Sequence, residues 1–349
     1  MAEKSKIIKK LINYMNTILV TGGAGFLGSH VANCLIQRGH NVVVIDDLSG
    51  GYRRNIPAAA EFYQASICDD TVVLRLFEQY HFRSVFHFAA YAAEGLSHHI
   101  RRFNYSNNIL GSMTLINAAV KYSVEHFVYT SSIAVYGCGP LPFSEDSAVR
   151  PVDPYGIAKL AVEYDLQAAQ RYFGLPYIIF RPHNIYGKGQ NLSDPYRNVL
   201  GIFMKQVMDG KPCTIFGDGS QRRAFSYIDD VAPVIAQSIE FPSAQNSIFN
   251  IGADATSTVM QVAQMVQKAL GKETGITLLP ARNEVHSAYC DHRLAGKILA
   301  FYDKTKLSEG IEQMAEWAKT IQRSTRKSLP TIEIISKLPP SWNIKSELQ

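Results

Sequence analysis

Apolar and polar positions along most of this chain switch between two periods, and the switches set the predicted elements. Thr17-Ile18-Leu19-Val20-Thr21 is a short apolar run with β-branched residues, the pattern of a buried strand. From Leu27 the spacing becomes helical, through Val31, Leu35 and Ile36, and it stops at Gly39. The same exchange repeats downstream. Strands are expected at 17–21, 41–46, 61–66, 84–89, 125–130 and 176–180, with helices at about 26–38, 70–80, 107–122 and 156–173. Strands alternating with helices imply an α/β fold, a doubly wound parallel sheet with helices on both faces. Ligands of such a sheet bind beyond the carboxyl ends of its strands.

After Arg181 the pattern loosens and Gly and Pro become frequent. Shorter elements are expected around 195–209, 212–216 and 258–270, which suggests a smaller C-terminal lobe over 181–225 and 251–322. Segment 226–250 is expected to return to the main sheet. Residues 1–16 precede the first strand, and Ile7, Ile8, Leu11, Ile12 and Met15 could line one side of a short helix there. Residues 323–349 lack sustained periodicity and read as a tail.

Composition narrows the class. At 349 residues with 46% hydrophobic and 19% charged residues, this is an ordinary globular chain with room for a large core. No apolar run approaches the ~20 residues that span a bilayer, and the Lys-rich start does not look like a secretory signal. The formal charge of +5 sits at the two ends and leaves the body near neutral, which argues against a nucleic-acid groove. Cys34, Cys68, Cys138, Cys213 and Cys290 are scattered and odd in number, with no metal-ligand spacing. His87, His98 and His99 show none either. The expectations are no metal, no nucleic acid, no membrane and a reducing, cytoplasmic setting.

The glycines of Thr21-Gly22-Gly23-Ala24-Gly25-Phe26-Leu27-Gly28 fall at the first strand-to-helix turn. A side chain at Gly22 or Gly25 would hold a pyrophosphate off the backbone N–H groups, while Gly28 lets helix and strand pack closely. The next strand ends in Asp46, about 20 residues on, where a Rossmann-type unit keeps an acid for the ribose hydroxyls. A carboxylate there would repel a 2′-phosphate, so NAD is expected over NADP. Arg53 and Arg54 could soften that preference. Residues 17–180 are therefore expected to form an NAD-binding domain.

Tyr155 and Lys159 stand four apart at the start of a predicted helix and share a face. A phenol needs its pKa of ~10 lowered by about 3 units to act as a base near neutrality, and a neighbouring ammonium and a cationic ring both act in that direction. Upstream, Thr130-Ser131-Ser132 ends a predicted strand, and Ser132 is the hydroxyl expected within reach of Tyr155.

Together with Asp46-Asp47-Leu48-Ser49, His87-Phe88-Ala89-Ala90, Thr130–Gly137, Arg181–Gly187 and Phe216–Arg223, these motifs resemble the extended short-chain dehydrogenase/reductases, and among them the nucleotide-sugar epimerases of the UDP-glucose 4-epimerase type, over about residues 17–300. The resemblance implies Tyr155 as base, Lys159 as its tuner and ribose ligand, and Ser132 as hydroxyl partner. It implies a cofactor site of Gly22, Gly25, Phe26, Leu27, Gly28, Asp46, Asp47, Ser49, Ser66, Ile67, Phe88, Ala89, Ala90, Asn107 and Thr130, shared with Tyr155 and Lys159. It implies Asn184, Arg223 and Arg282 on a diphosphate, Phe216 facing uracil, and Ala288 against the hexose, where its size would admit an N-acetyl group at C2. It also implies a homodimer through the helices at 107–122 and 156–173. Departures from the family pattern are Ser66 and Ala224, where acids are usual, and Glu94, an unusual acid near the expected sugar.

Dehydratase relatives carry Asp-Glu where this chain has Ile133-Ala134, neither of which can do acid–base work. The reaction expected is inversion at C4 of a UDP-hexose through a 4-keto sugar, with NAD held tightly. The alternatives are a nucleotide-sugar reductase or dehydratase, and a non-catalytic nucleotide-binding relative.

Overall fold

The computed structural model describes residues 16–282, 284–321, 330–339 and 342. The expected N-terminal helix and much of the 323–349 segment lie outside them. Seven strands make the central sheet: β1 (Thr17–Thr21), β2 (Asn41–Asp46), β3 (Glu61–Gln64), β4 (Ser84–His87), β5 (His126–Thr130), β6 (Tyr177–Pro182) and β7 (Ser247–Ile251). Their order is β7-β6-β5-β4-β1-β2-β3 and every neighbour is parallel. The order reverses beside β1, which opens a crevice at the carboxyl ends of β1 and β4.

The apolar runs in the strands are continuous because both faces are covered. Ile18, Val20, Val42 and Val44 point to one side and join the core beneath α1 (Phe26–Gln37) and the helix Ile228–Gln237. Leu19, Val43 and Ile45 point to the other, beneath α2 (Asp70–Tyr80), α3 (Gly111–Lys121) and α4 (Pro154–Phe173). The doubly wound fold is the one expected. α4 starts two residues earlier than its apolar pattern because Asp153 caps it, accepting from the Gly156 N–H at 2.9 Å, with Pro154 fitting the first turn. The helix expected from 107 begins instead at Arg101–Tyr105 and passes through a π-turn, Ser106–Leu110, into α3. Its polar residues Asn104 and Asn108 are buried and bonded, so polarity there does not mark a loop.

The second lobe carries a three-stranded sheet of Thr256–Thr258, Arg222–Ala224 and Ser287–Ala288, and a parallel pair of Cys213–Phe216 and Ile276–Leu279. Helices Val199–Met208 and Val259–Leu270 pack on them. β7 follows the helix Ile228–Gln237 and pairs with β6, so residues between the two parts of this lobe lie on the main sheet. Residues 330–339 form neither helix nor strand, yet they are docked: Glu333 accepts from the N–H groups of Arg102 and Phe103 at 2.8 and 2.9 Å. Aperiodic segments can be fixed by such point contacts, which leave no trace in hydrophobic spacing. No helix among the described residues is long and apolar enough to cross a membrane.

Candidate active site

A cavity of about 370 Å³ opens at the carboxyl ends of β1, β2, β4 and β5. Gly22, Asp46, Ala90 and Ser132, each at or just after a strand end, all line it. So do Gly25, Phe26, Leu27, Gly28, Asp47, Ser49, Ser66, Ile67, Phe88, Ala89, Asn107, Thr130, Tyr155, Lys159 and Asn184. Phe216 and Arg282 line a second cavity of about 220 Å³ in the smaller lobe. Arg223 and Ala288 line neither. The Arg223 guanidinium is held by the carbonyls of Val285 and His286, and Ala288 is buried with Ile133, Tyr136, Phe143 and Cys290. Ala288 and Arg223 are register partners, which explains why they share that fate.

The glycine turn is tight enough to require its glycines. A Cβ on Gly22 would stand 2.6 Å from the Ala89 nitrogen, and φ there is +68°. A Cβ on Gly28 would stand 2.3 Å from the Gly22 carbonyl oxygen. No side chain caps the first turn of α1, because the N-cap is Gly25. Asp46 is buried and accepts from the N–H groups of Ala24 and Leu48 at 3.0 and 2.7 Å, which fixes its carboxylate at the cavity wall. Arg53 and Arg54 stack on Phe62 and Tyr52 and do not line the cavity. The Thr130 hydroxyl is buried and lacks a protein partner. The donor-rich turn, the fixed carboxylate and this hydroxyl fit a dinucleotide such as NAD.

Tyr155 and Lys159 are both buried on the inner face of α4, with the ammonium 5.8 Å from the Tyr155 ring centre. Lys159 donates to the Thr130 carbonyl at 2.7 Å. Burial lowers the Lys159 ammonium to about 7, with Glu163 opposing. The Tyr155 phenol is raised above its ordinary value, first by burial and then by Glu94, while a hydrogen bond from Ser132 pulls the other way. The expected lowering of Tyr155 is thus not produced by the chain's own groups. The reason is that burial penalises the phenolate and the neighbouring Glu94 adds to that penalty.

Several residues in this region carried no expected role. Glu163, one turn beyond Lys159, is wholly buried, accepts from the Ser131 hydroxyl and grips Arg181 with bonds of 2.9 and 2.5 Å. Arg181 continues to the Tyr136 hydroxyl at 2.8 Å, and Tyr136 donates to Asn250 at 2.7 Å. The spacing Tyr155, Lys159, Glu163 placed all three on one face and could have pointed to Glu163. Arg197 also lines the cavity, paired to Asp194 at 2.7 Å and stacked 4.8 Å from the Tyr91 ring. Glu94, singled out only as a departure, faces the same cavity. Although its side chain is open to that space, the surrounding protein raises its carboxyl to about 7, by desolvation first and Asp153 second, against Arg223.

Comparisons with known proteins give the family. The model of the family described as NAD dependent epimerase/dehydratase matches residues 18–252. A UDP-glucose 4-epimerase of Mycolicibacterium smegmatis is 31% identical, over 86% of this chain and 97% of its own. A dTDP-D-glucose 4,6-dehydratase of Mus musculus is 29% identical over 94% and 96%. The crystal structure of a UDP-glucose 4-epimerase from Thermotoga maritima, with UDP-glucose, superposes with a TM-score of 0.82 at 33% identity, over 87% of this chain and 98% of that one. A glycine-lined cavity over a parallel sheet, a Ser–Tyr–Lys set on its wall and a match across most of the chain lead to one statement: the protein belongs to the NAD-dependent epimerase/dehydratase family.

Proposed function

We propose that this protein inverts C4 of a UDP-hexose through a transient 4-keto sugar, with NAD bound throughout turnover. The observation that carries this is the convergence of Ser132, Tyr155 and Lys159 on one cavity wall, beside Ile133 and Ala134, which have no carboxyl to offer. Gly22 and Gly25 would hold the cofactor's pyrophosphate, Asp46 its adenosine ribose, and Lys159 the other ribose. Bound NAD supplies a hydride acceptor and later its donor, and its cationic ring adds the positive charge that Tyr155 needs. Tyr155, as phenolate, takes the proton of the C4 hydroxyl while Ser132 orients that hydroxyl. When the carbonyl is reduced from its other face, Tyr155 returns the proton to oxygen. The exchange balances, so no external reductant is consumed.

Asn184, Phe216 and Arg282 line the two cavities and are the UDP ligands of this reading, while Arg223, expected with them, is turned to the Val285 and His286 carbonyls. A UDP-glucose 4-epimerase from Thermotoga maritima with UDP-glucose bound is the solved neighbour that supports this substrate class. Glu94 favours a second reading, since a carboxyl raised to about 7 in the sugar region could protonate a leaving hydroxyl, as a dehydratase requires. The deciding experiment incubates the protein with UDP-hexoses and follows product structure by NMR. A C4 epimer without added NADH supports the proposal. A 4-keto-6-deoxy product supports the second reading, and steady NADH consumption a reductase. No turnover of any substrate, with NAD bound, would favour a non-catalytic nucleotide-binding relative.

A further inference from the structure

The second cavity has a wall that no motif announced. Trp342 comes from the aperiodic C-terminal segment, is 8% exposed, and lines the cavity together with Phe216, Tyr196 and Arg282. Its ring meets Tyr196 edge-on at 5.1 Å and Phe216 at 6.3 Å between centres. The Arg282 guanidinium sits 4.6 Å from the Phe216 ring centre and 5.7 Å from that of Trp342. This placement is anchored. Besides the Glu333 carboxylate on Arg102 and Phe103, the N–H of Glu333 donates to the His99 carbonyl at 2.8 Å, and His99 Nδ1 lies 2.8 Å from the Ile334 carbonyl. Gly95 leaves room for the indole, since a Cβ there would stand 3.1 Å from it.

The same cavity meets the catalytic one. Asn198 lines both, and Glu94, beside the Gly95 that touches Trp342, lines the first. A cavity walled by three aromatic rings, with a guanidinium that Glu284 holds at 2.9 Å and an opening toward the first cavity at Asn198, suits a planar heterocycle carrying an anionic tether.

We propose that Trp342 is a specificity residue supplied by the C-terminal segment, forming the stacking wall for the pyrimidine base of the substrate nucleotide. The proposal rests on the nucleotide-sugar reading above. Trp342 lines the second cavity and Tyr155 the first, so Trp342 acts on binding and leaves the chemical step alone.

The chain has two tryptophans, and the other is Trp317. In a W317F background, titration with UDP alone should quench and shift Trp342 emission. By calorimetry W342A should weaken UDP about tenfold and W342F less, because base–aromatic stacking is lost or reduced. The KM for the UDP-sugar should rise in W342A with kcat within about twofold, and bound NAD should be retained. UDP binding to W342A that equals or exceeds the parent would overturn the proposal, the latter by making Trp342 a plug. A fall in kcat and NAD content together would also overturn it, by making the role structural. If the parent itself binds no UDP, the nucleotide-sugar reading fails along with it.

Discussion

The phenol of Tyr155 and the carboxyl of Glu94 are both displaced upward in the same cavity, and each displacement can be measured. Tyr155→Phe keeps the ring packing and removes the proton acceptor. Epimerisation should fall by at least about two orders of magnitude while NAD binding survives, as for a lost general base. Activity within fivefold of the parent would remove Tyr155 from the mechanism. Glu94 titrates near 7 in the folded protein, against an ordinary 4.5. Between those values the folded state binds the extra proton, so stability declines as pH rises from 4.5 to 7. Glu94→Gln should flatten that decline, raising Tm at pH 8 relative to the parent and leaving it little changed at pH 4.5. An unchanged difference in Tm between the two pH values would show that Glu94 does not titrate there. Gly22→Ala should abolish NAD retention after gel filtration, because its methyl group meets the Ala89 backbone.

At the scale of elements, α4 holds the site by its buried stripe. Asp153 starts it, Tyr155 and Lys159 face the cavity from it, and Glu163 ties it to β6 through Arg181. Removing one partner of a buried pair leaves the other charge uncompensated, so Glu163→Ala should cost about 3–5 kcal/mol in urea unfolding. A loss under 1 kcal/mol would mean that water replaces the carboxylate. These elements also show what the sequence made legible. Strand and helix periods gave β1, β2 and α2 their bounds because an apolar face must recur at 2.0 or 3.6 residues. The glycine turn and Asp46 were legible because phosphate and ribose demand fixed spacing. Glu163 shared the spacing of Tyr155 and Lys159, but its partner Arg181 did not show in that spacing, and neither did the contacts of Arg197 with Tyr91 or of Trp342 with Phe216, which join residues far apart in sequence. A period cannot register such a contact. The π-turn at Ser106–Leu110 was missed for a related reason: the buried Asn108 within it and Asn104 just before it bond to Tyr91 and Pro154, outside their own helix.

For the molecule as a whole, the two helices that the resemblance places in a dimer contact differ in what they turn outward. Leu115, Ile116, Ala119, Leu166 and Ala169 are buried within the chain itself. Outward on α4 instead lie Ile157, Tyr164 and Tyr172, 43%, 54% and 85% exposed, at spacings that keep them on one stripe, with Leu110 exposed at the neighbouring helix. A homodimer through this stripe is the expected assembly. Light scattering at micromolar concentration should give twice the chain mass, and Tyr164→Glu should halve it. A monomeric parent would leave the stripe without that role.

The polar chain Glu163–Arg181–Tyr136–Asn250 crosses from α4 through the ends of β5 and β6 to the edge strand β7, and its last link joins residues 114 positions apart. Its consequence lies in time. α4 cannot seat its buried carboxylate until β6 brings Arg181, and the Tyr136 hydroxyl to which Arg181 donates has no acceptor of its own until β7 brings Asn250. Such long-range closures come late when a chain folds. On dilution from urea, helix signal should therefore return before NAD is captured, and enzymatic competence should appear only as the edge of the sheet closes.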